Sequence, residues 1–575
     1  MLHDLYTPRG EALTGPPWTA YPRPQMRRDS YRNLNGDWDF AVTRGPTPPP
    51  AYDRTIRVPF CPESLLSGAR THFPEGASLW YRRRLTVPED FCRGRVLLHV
   101  GGADQTAEVF LNGTRLCRHE GGYEAFTVDL TGALGAENEL VIRCRDDLKD
   151  RTFPYGKQTC KRGGMWYTPV SGIWQTVWLE SVPETYIETL TIENRGGSVT
   201  IDTGNPALAG TVTVAGLGGF PLEGGKVTIT PDQPHFWSPE DPYLYEFTVE
   251  AGEDRVDSYF ALRTLEIKEV GGYQRLCLNG KPYFFHGLLD QGYWPDGLFT
   301  PAAPECYADD ILAMKRLGFN TLRKHIKVEP EEFYYQCDRL GMVVFQDMVN
   351  NGRYRYVWDT ALPTLFPGIQ QALNDRHFPA PEGERQAFLR GMEAAVNQLK
   401  NHPCILYWTI FNEGWGQFDS AVAYERLKAL DDTRWIDSTS GWFRREATDV
   451  DSRHVYFRKV DLEGGDKPLV LSEFGGFSYK VEGHLFNTGK EYGYGSYDSL
   501  EAFGEAVEAA YREQIVPCVR KGLCAAVYTQ VSDVEDEING LVTYDRRVEK
   551  LTPERMLPVA EALQEALREP DPAAP

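Results

Sequence analysis

Between residues 30 and 182 apolar and polar positions alternate in short runs, and no helical period is sustained. LWYRRRLTV (79–87), RVLLHVGG (95–102), TAEVFLNGTRLC (106–117), NELVIRC (138–144) and GIWQTVWLESV (172–182) are rich in β-branched and aromatic residues, the composition of strands. Asn112-Gly113, between VFL and TRLC, predicts a two-residue hairpin turn. A β-sandwich of the jelly-roll type is expected over residues 1–183. The same texture continues through YIETLTIENR, SVTIDTG, GTVTVAG, KVTITP and LYEFTVEA, and residues 184–264 have the length of a small immunoglobulin-like sandwich.

After residue 265 the pattern changes. Strand-like runs now alternate with stretches of helical period, which predicts βαβ units around a parallel sheet. Eight strands are read: 283–289, 319–325, 342–348, 405–413, 434–440, 454–457, 469–473 and 524–530. Helices are expected at 304–317, 330–340, 383–400, 418–430, 498–520 and 553–568. The interval 441–453 is too short for a good helix, so one unit is degenerate. Residues 265–575 are therefore expected to form a (β/α)8 barrel, the third domain of a multidomain chain.

In such a barrel the chemistry sits at the C-terminal strand ends. Those ends read Asp290 and Gln291, Arg323 and His325, Asp347, Asn412 and Glu413, Ser440 and Trp442, His454 and Tyr456, Glu473, and Tyr528 and Gln530. The strands are apolar but their ends are polar, and a mouth that was merely packed would not need so many hydrogen-bonding groups. Glu413 closes the fourth strand in ILYWTIFNE, and Glu473 closes the seventh in LVLSE. The two strands lie across the mouth from each other, so both carboxylates can face one substrate. Paired carboxyls are the requirement of glycoside hydrolysis, about 5–5.5 Å apart in retaining enzymes and wider in inverting ones.

WTIFNEGWGQ (408–417) resembles the acid/base motif of glycoside hydrolase family 2, which contains β-galactosidases, β-glucuronidases and β-mannosidases. RNLNGDWDF (32–40), LWYRRRLTV, AEVFLNG (107–113) and SGIWQTVWLE (171–180) are similar to the family's sugar-binding sandwich. LNGKPYFFHGLLDQGYWPDG (278–297), the stretch 318–348 and YTQVSDVEDEINGLVTYDRR (528–547) are similar to its barrel, in matching order. The resemblance implies Glu413 as acid/base, Glu473 as nucleophile, and Asn412 as partner of the sugar 2-hydroxyl. It also implies that Tyr456 hydrogen-bonds the nucleophile. Arg323 is expected to orient a carboxylate near the site. Trp442 and Trp408 are expected to flank the sugar, Asp290 and Tyr528 to touch its hydroxyls, and His325 and His454 to bind substrate or brace the site. Trp415 and Gln417 would shape the leaving-group side.

As acid/base, Glu413 is expected in a less polar or like-charged setting than Glu473. The family's glucuronidases carry an Asn-x-Lys pair after the eighth strand, whereas this chain reads EINGLVTYD, with Asn539-Gly540 and no lysine. A neutral sugar, galactose first, is therefore expected. Glucuronide, mannoside, α-L-arabinopyranoside and galactofuranoside are the alternatives, with Arg546, Arg547 or Lys327 as other partners for a uronic carboxylate. A catalytically silent carbohydrate-binding protein and a transglycosylase are the rivals of other kinds.

The net charge of −21 excludes a nucleic-acid partner on electrostatic grounds. No run of 18 apolar residues is present, so no membrane partner is expected. Eleven cysteines without ligand spacing, and an N-terminus (MLHDLYTPRGEAL) without an apolar leader segment, point to reduced thiols and a cytoplasmic location. No cofactor motif is present. DVEDEIN (533–539) is acidic but lacks the spacing and Gly turn of a calcium loop, so no metal is expected. A small-molecule or oligosaccharide substrate is the expected partner, and a homo-oligomer is compatible with everything above.

Overall fold

The computed structural model describes every residue except 75, 367, 368, 370–372, 379 and 569–575. Strands between Tyr31 and Val182 form a six-stranded and a four-stranded antiparallel sheet packed face to face. Their core is closed by Trp38, Phe40, Tyr81, Leu98, Val109 and Ile142. The Asn112-Gly113 turn forms as expected. Thr106–Leu111 pairs with Thr114–Glu120, and both turn residues take positive φ, 52° and 80°. That is the geometry a type I′ turn demands and that Asn and Gly tolerate best. A second sandwich follows, with sheets of three and four strands between Thr191 and Phe260.

The barrel strands are β1 (Phe285–Asp290), β2 (Thr321–Lys324), β3 (Val343–Asp347), β4 (Ile405–Asn412), β5 (Trp435–Ser440), β6 (Asp451–Val455), β7 (Leu469–Gly475) and β8 (Leu523–Thr529). All ladders between them are parallel, in the order β5-β4-β3-β2-β1-β8-β7-β6. The one interval without a ladder lies between β5 and β6, joined by residues 441–450, where no helix forms. The expected helices are present: Glu305–Arg316, Glu331–Leu340, Glu382–Leu399, Ser420–Leu430, Leu500–Ala510 continuing to Arg520, and Pro553–Arg568.

The lower interior of the barrel is an aromatic plug. Phe345 stacks on Tyr407 at 4.3 Å, and Phe285 touches Phe345 and Trp435 at 5.6 and 5.7 Å. This plug leaves no room for substrate at the bottom and sets the depth of the polar layer above it.

The loop 155–168 of the first sandwich is clamped over the mouth. The Tyr155 and Gly156 N–H groups donate to Asn350 O (3.1 and 3.2 Å), and the Tyr155 hydroxyl donates to Gly352 O (2.8 Å). Gly156 has φ 60°, and a Cβ there would lie 3.0 Å from Ile326 O, so the close approach depends on glycine. The acidic stretch 533–539 serves this docking. Glu535 accepts from the Thr168 N–H (2.9 Å), Asp536 pairs with Arg162 (3.1 Å), and the Tyr167 hydroxyl donates to Glu537.

Candidate active site

Successive side chains of a strand point to opposite faces, so alternation decides which residues reach the barrel axis. On β2, Arg323 turns inward and Lys324 outward. On β7, Glu473 turns inward and Phe474 packs outward against Tyr511.

Arg323 organises the centre. Its Nε donates to Asp347 (3.0 Å), Nη1 to Glu473 Oε1 (3.0 Å) and to Ser472 O (3.1 Å), and Nη2 to Asn412 Oδ1 (2.9 Å). The guanidinium fork thus fixes three strand ends relative to one another. The Tyr456 hydroxyl donates to Glu473 Oε2 (2.8 Å). His325 Nδ1 bonds Asp347 (2.7 Å) and lies 4.0 Å from Glu473 Oε1. His454 stands between the two glutamates, with Nδ1 2.8 Å from Glu413 Oε1 and 3.6 Å from Glu473 Oε2. The nearest side-chain donor atoms of Glu413, His454 and Glu473 all lie within 4.8 Å of one another. Trp442 meets the His454 ring edge-on at 5.3 Å, and its buried indole N–H has no partner among the described residues.

Electrostatics hold the Glu473 carboxyl in its charged form. Burial pushes the Glu473 carboxyl up, but His454 first, then Arg323, His325 and the Tyr456 hydroxyl, outweigh it and hold the pKa at about 2. Burial depresses the His325 imidazole, opposed by its bond to Asp347. The Tyr456 phenol is pushed well up, first by burial and then by the Glu473 charge, so it remains a hydrogen-bond donor.

Glu413 sits at φ 54°, a left-handed conformation that a non-glycine residue adopts at a cost of about 1–3 kcal/mol. Its N–H is tied to Ser440 O (3.0 Å). Gly414 follows at φ 75°, and a Cβ there would lie 2.6 Å from Phe443. The Glu-Gly break that ends the apolar run is therefore what swings the carboxylate out of the strand and over the axis.

Three expected residues lie elsewhere. Asp290 bonds Lys324 (2.6 Å), which also meets Glu329 (2.9 Å) and the Phe333 ring, in the layer between strands and helices. Trp408 is fully buried on the outer face of β4, donating to Asp431 (2.9 Å) beside Arg434. Tyr528 packs outward on Phe474 and Tyr511, and its hydroxyl accepts from the Phe477 N–H (3.1 Å). The expectation that these three touch the sugar is corrected: Asp290 and Tyr528 are each one residue out of phase with the inward set of their strands, and Trp408 points outward beside Tyr407, which takes the inward place in the plug. On β8 the inward residue is Thr529, whose hydroxyl bonds Tyr456 (2.7 Å). On β1 and β8 the signal was available as the i±2 spacing; on β4 it was not, because Trp408 and Asn412 share that spacing and face opposite ways.

Other residues at the site carry no sequence signal of their own. Trp166, from the sandwich loop, packs on Trp415 (5.2 Å) and Tyr354 (4.9 Å) beside the end of β4. Only tertiary contact brings it there. Among the described residues, Glu413, His454 and Glu473 are also the group with the proximity of metal ligands.

Family models match three segments. Residues 269–487 match "Glycosyl hydrolases family 2, TIM barrel domain", 66–161 match "Glycosyl hydrolase 2 galactose-binding domain-like", and 184–263 match "Glycosyl hydrolases family 2". The chain belongs to glycoside hydrolase family 2. The family 2 chain is 26% identical over 423 residues to a β-glucuronidase of Pongo abelii, across 63% of this chain and 59% of that protein. It is 25% identical over 371 residues to a β-galactosidase of Thermoanaerobacter pseudethanolicus, across 58% and 44%. The matched region thus spans less than two thirds of these curated relatives. In fold it is similar to a β-glucuronidase structure from an uncultured Clostridium sp., with a TM-score of 0.71 at 18% identity, covering 95% of this chain and 99% of that one. Among the described residues no helix is long and apolar enough to cross a membrane.

Proposed function

We propose that this family 2 protein is a retaining, exo-acting glycosidase that releases a terminal β-linked sugar through a covalent glycosyl-enzyme. Glu473 attacks the anomeric carbon while Glu413 protonates the departing oxygen. Glu413 then takes a proton from water as that water displaces Glu473 from the sugar. The observation that carries the reading is the spacing. A carboxylate oxygen of each glutamate lies within 4.8 Å of the other, which favours the closer spacing of retaining enzymes over the wider one of inverting enzymes. Arg323 and Tyr456 keep Glu473 ionised for attack, and Glu413 is the more exposed of the two, as a group that meets both leaving group and water should be. Asn412, fixed by Arg323, is positioned to hydrogen-bond the 2-hydroxyl. The sandwich loop over the mouth supports a pocket that admits chain ends.

The test is substitution and trapping. Glu473→Ala and Glu413→Ala should each lose several orders of magnitude in turnover of nitrophenyl glycosides, and a 2-fluoro-glycoside should label Glu473. Near-normal turnover in either variant would overturn the assignment. The sugar was expected to be neutral, a β-galactoside first, because no lysine stands near Asn539. That argument holds if the loop after β8 is the only source of a cation at the glycone. Asn539 itself is engaged within its loop, accepting from Gln530 (2.8 Å). The named relatives divide between β-glucuronidase and β-galactosidase at nearly equal identity, so the choice rests on the groups that face the pocket.

A further inference from the structure

Where the second sandwich meets the floor of the barrel, two guanidinium groups converge on one carbonyl. Arg263, in the link that leaves the sandwich, donates from Nη2 to Ile405 O (3.0 Å). Arg434, just before β5, donates to the same oxygen from Nε (2.8 Å). Ile405 is the first residue of β4, so this place lies at the opposite end of that strand from Glu413. Arg434 is fully partnered. Its Nη1 meets Asp431 (2.7 Å), and its Nη2 donates to the carbonyls of Lys400 and His402. Asp431 is in turn occupied by Trp408 and Thr433.

Arg263 has no such partner. It is 5% exposed, and among the described residues its bond to Ile405 O is its only hydrogen bond and it forms no ion pair. Its Nε is buried without an acceptor. Burial, and then the charge of Arg434, depress its pKa to about 9 against the pull of Asp431, so at neutral pH the group still holds its proton. Two buried guanidiniums thus share one carboxylate, and one positive charge is left over, a costly arrangement unless an anion offsets it. Arg263 lines a cavity of about 320 Å³ between the sandwich and the barrel, within the range of small-molecule sites. Five basic and three acidic residues line it, in a chain whose net charge is −21. The others are spoken for: Arg195 pairs with Asp432 and Glu193, and Lys428 meets Tyr424 and Asp449. Lys400, also on the wall and partly buried, bonds only Asn397 Oδ1 (3.2 Å).

We propose that this cavity binds a phosphate group, free or carried by a small sugar, with Arg263 as its buried cation and Lys400 as the second. A guanidinium offers a planar pair of N–H donors to two phosphate oxygens, and the nitrogens of Arg263 that make no bond within the chain are the ones such a ligand would use. The bound anion would tie the second sandwich to the start of β4. The site is separate from the barrel mouth and does not depend on which sugar the mouth takes.

The experiment is isothermal titration calorimetry of the protein with inorganic phosphate, glucose 6-phosphate and glucose, at an ionic strength fixed with sodium chloride. Phosphate should bind saturably, one per chain, and glucose should not bind at this site. Arg263→Met should weaken phosphate binding by roughly 10- to 150-fold, the worth of one hydrogen bond between charged groups. Lys400→Met, which removes a more exposed charge, should weaken it by roughly 2- to 5-fold. Tighter binding of glucose 6-phosphate than of phosphate, lost in Arg263→Met, supports the inference with a sugar phosphate as the occupant. Equal or weaker binding supports it with free phosphate. No saturable heat at millimolar phosphate, or an affinity unchanged in Arg263→Met, overturns it. Should Arg263→Met fail to fold, Lys400→Met decides, and an unchanged affinity there overturns the inference.

Discussion

Arg323→Met is the most demanding test of how the site is held. In the wild type the buried Glu473 carboxyl is kept at about 2, against an ordinary glutamate value of about 4.3. That difference is worth about 3 kcal/mol at 1.36 kcal/mol per pKa unit, shared among His454, Arg323, His325 and Tyr456. Methionine fills similar space but removes five hydrogen bonds and leaves Asp347 and Glu473 buried without their shared cation. Stripping one partner from such a network costs about 3–5 kcal/mol. The sign follows from linkage. A group whose folded pKa is depressed contributes stability above its unfolded pKa, and loses it as pH falls toward the folded value. The variant's loss should therefore be largest near pH 7 and shrink toward pH 4, where the freed carboxyls protonate. Urea titrations at the two pH values measure this. With its main charge partners reduced, Glu473 is also left to burial, so the acid limb of kcat/KM should move to higher pH. Arg323→Lys, which restores charge without the fork, should move it back part of the way. A variant as stable as wild type at pH 7, or one with an unmoved acid limb, would refute the role given to Arg323.

Other outcomes follow from the same geometry. Glu413→Gln should slow alkyl glycosides by about 10²–10⁴-fold but dinitrophenyl glycosides far less, because only the former need a proton, and added azide should yield the β-glycosyl azide. Trp408→Phe should lower Tm, through loss of the bond to Asp431, and leave KM within about twofold, whereas a large KM change would return Trp408 to the pocket. Glu180→Gln in the first sandwich should cost about 3–5 kcal/mol at pH 7, because the buried Arg28 would lose its anion along with Arg23. Burial opposes ionisation of Glu180, but Arg23, His99 and Arg28 hold its pKa well below the usual range, so the difference between variant and wild type should narrow as pH falls below about 4.

The elements, and the two glutamates proposed to react, were legible in the chain's own pattern. Period-2 and period-3.6 patterns are local properties of the chain, so two runs of short strands followed by eight strand–helix alternations were readable without coordinates. Glu413 and Glu473 were readable too, since each ends an apolar run at a glycine or near one, and the barrel topology puts the ends of β4 and β7 at one mouth. Asp290, Trp408 and Tyr528 mark where that reading failed. Being near a strand end is visible in the sequence, but the side of the barrel that a residue faces depends on register, and a shift of one residue reverses it. The inward phase of β2 and β7 was fixed by the contact of Arg323 with Glu473, and that of β4 by the separate contacts of Tyr407 with Phe345 and Asn412 with Arg323, which simple alternation does not connect. The loop carrying Lys157 and Trp166 lay further out of reach. It precedes β1 by more than a hundred residues, and nothing in its own pattern marks it as part of the site. Its place over the mouth is set by long-range contacts of Gly156, Tyr155, Tyr167 and Thr168 with the barrel. The position of the two glutamates at one mouth thus follows from local chain pattern, whereas the side chains that the first sandwich brings beside them are set by how two domains pack, through contacts between residues far apart in the chain.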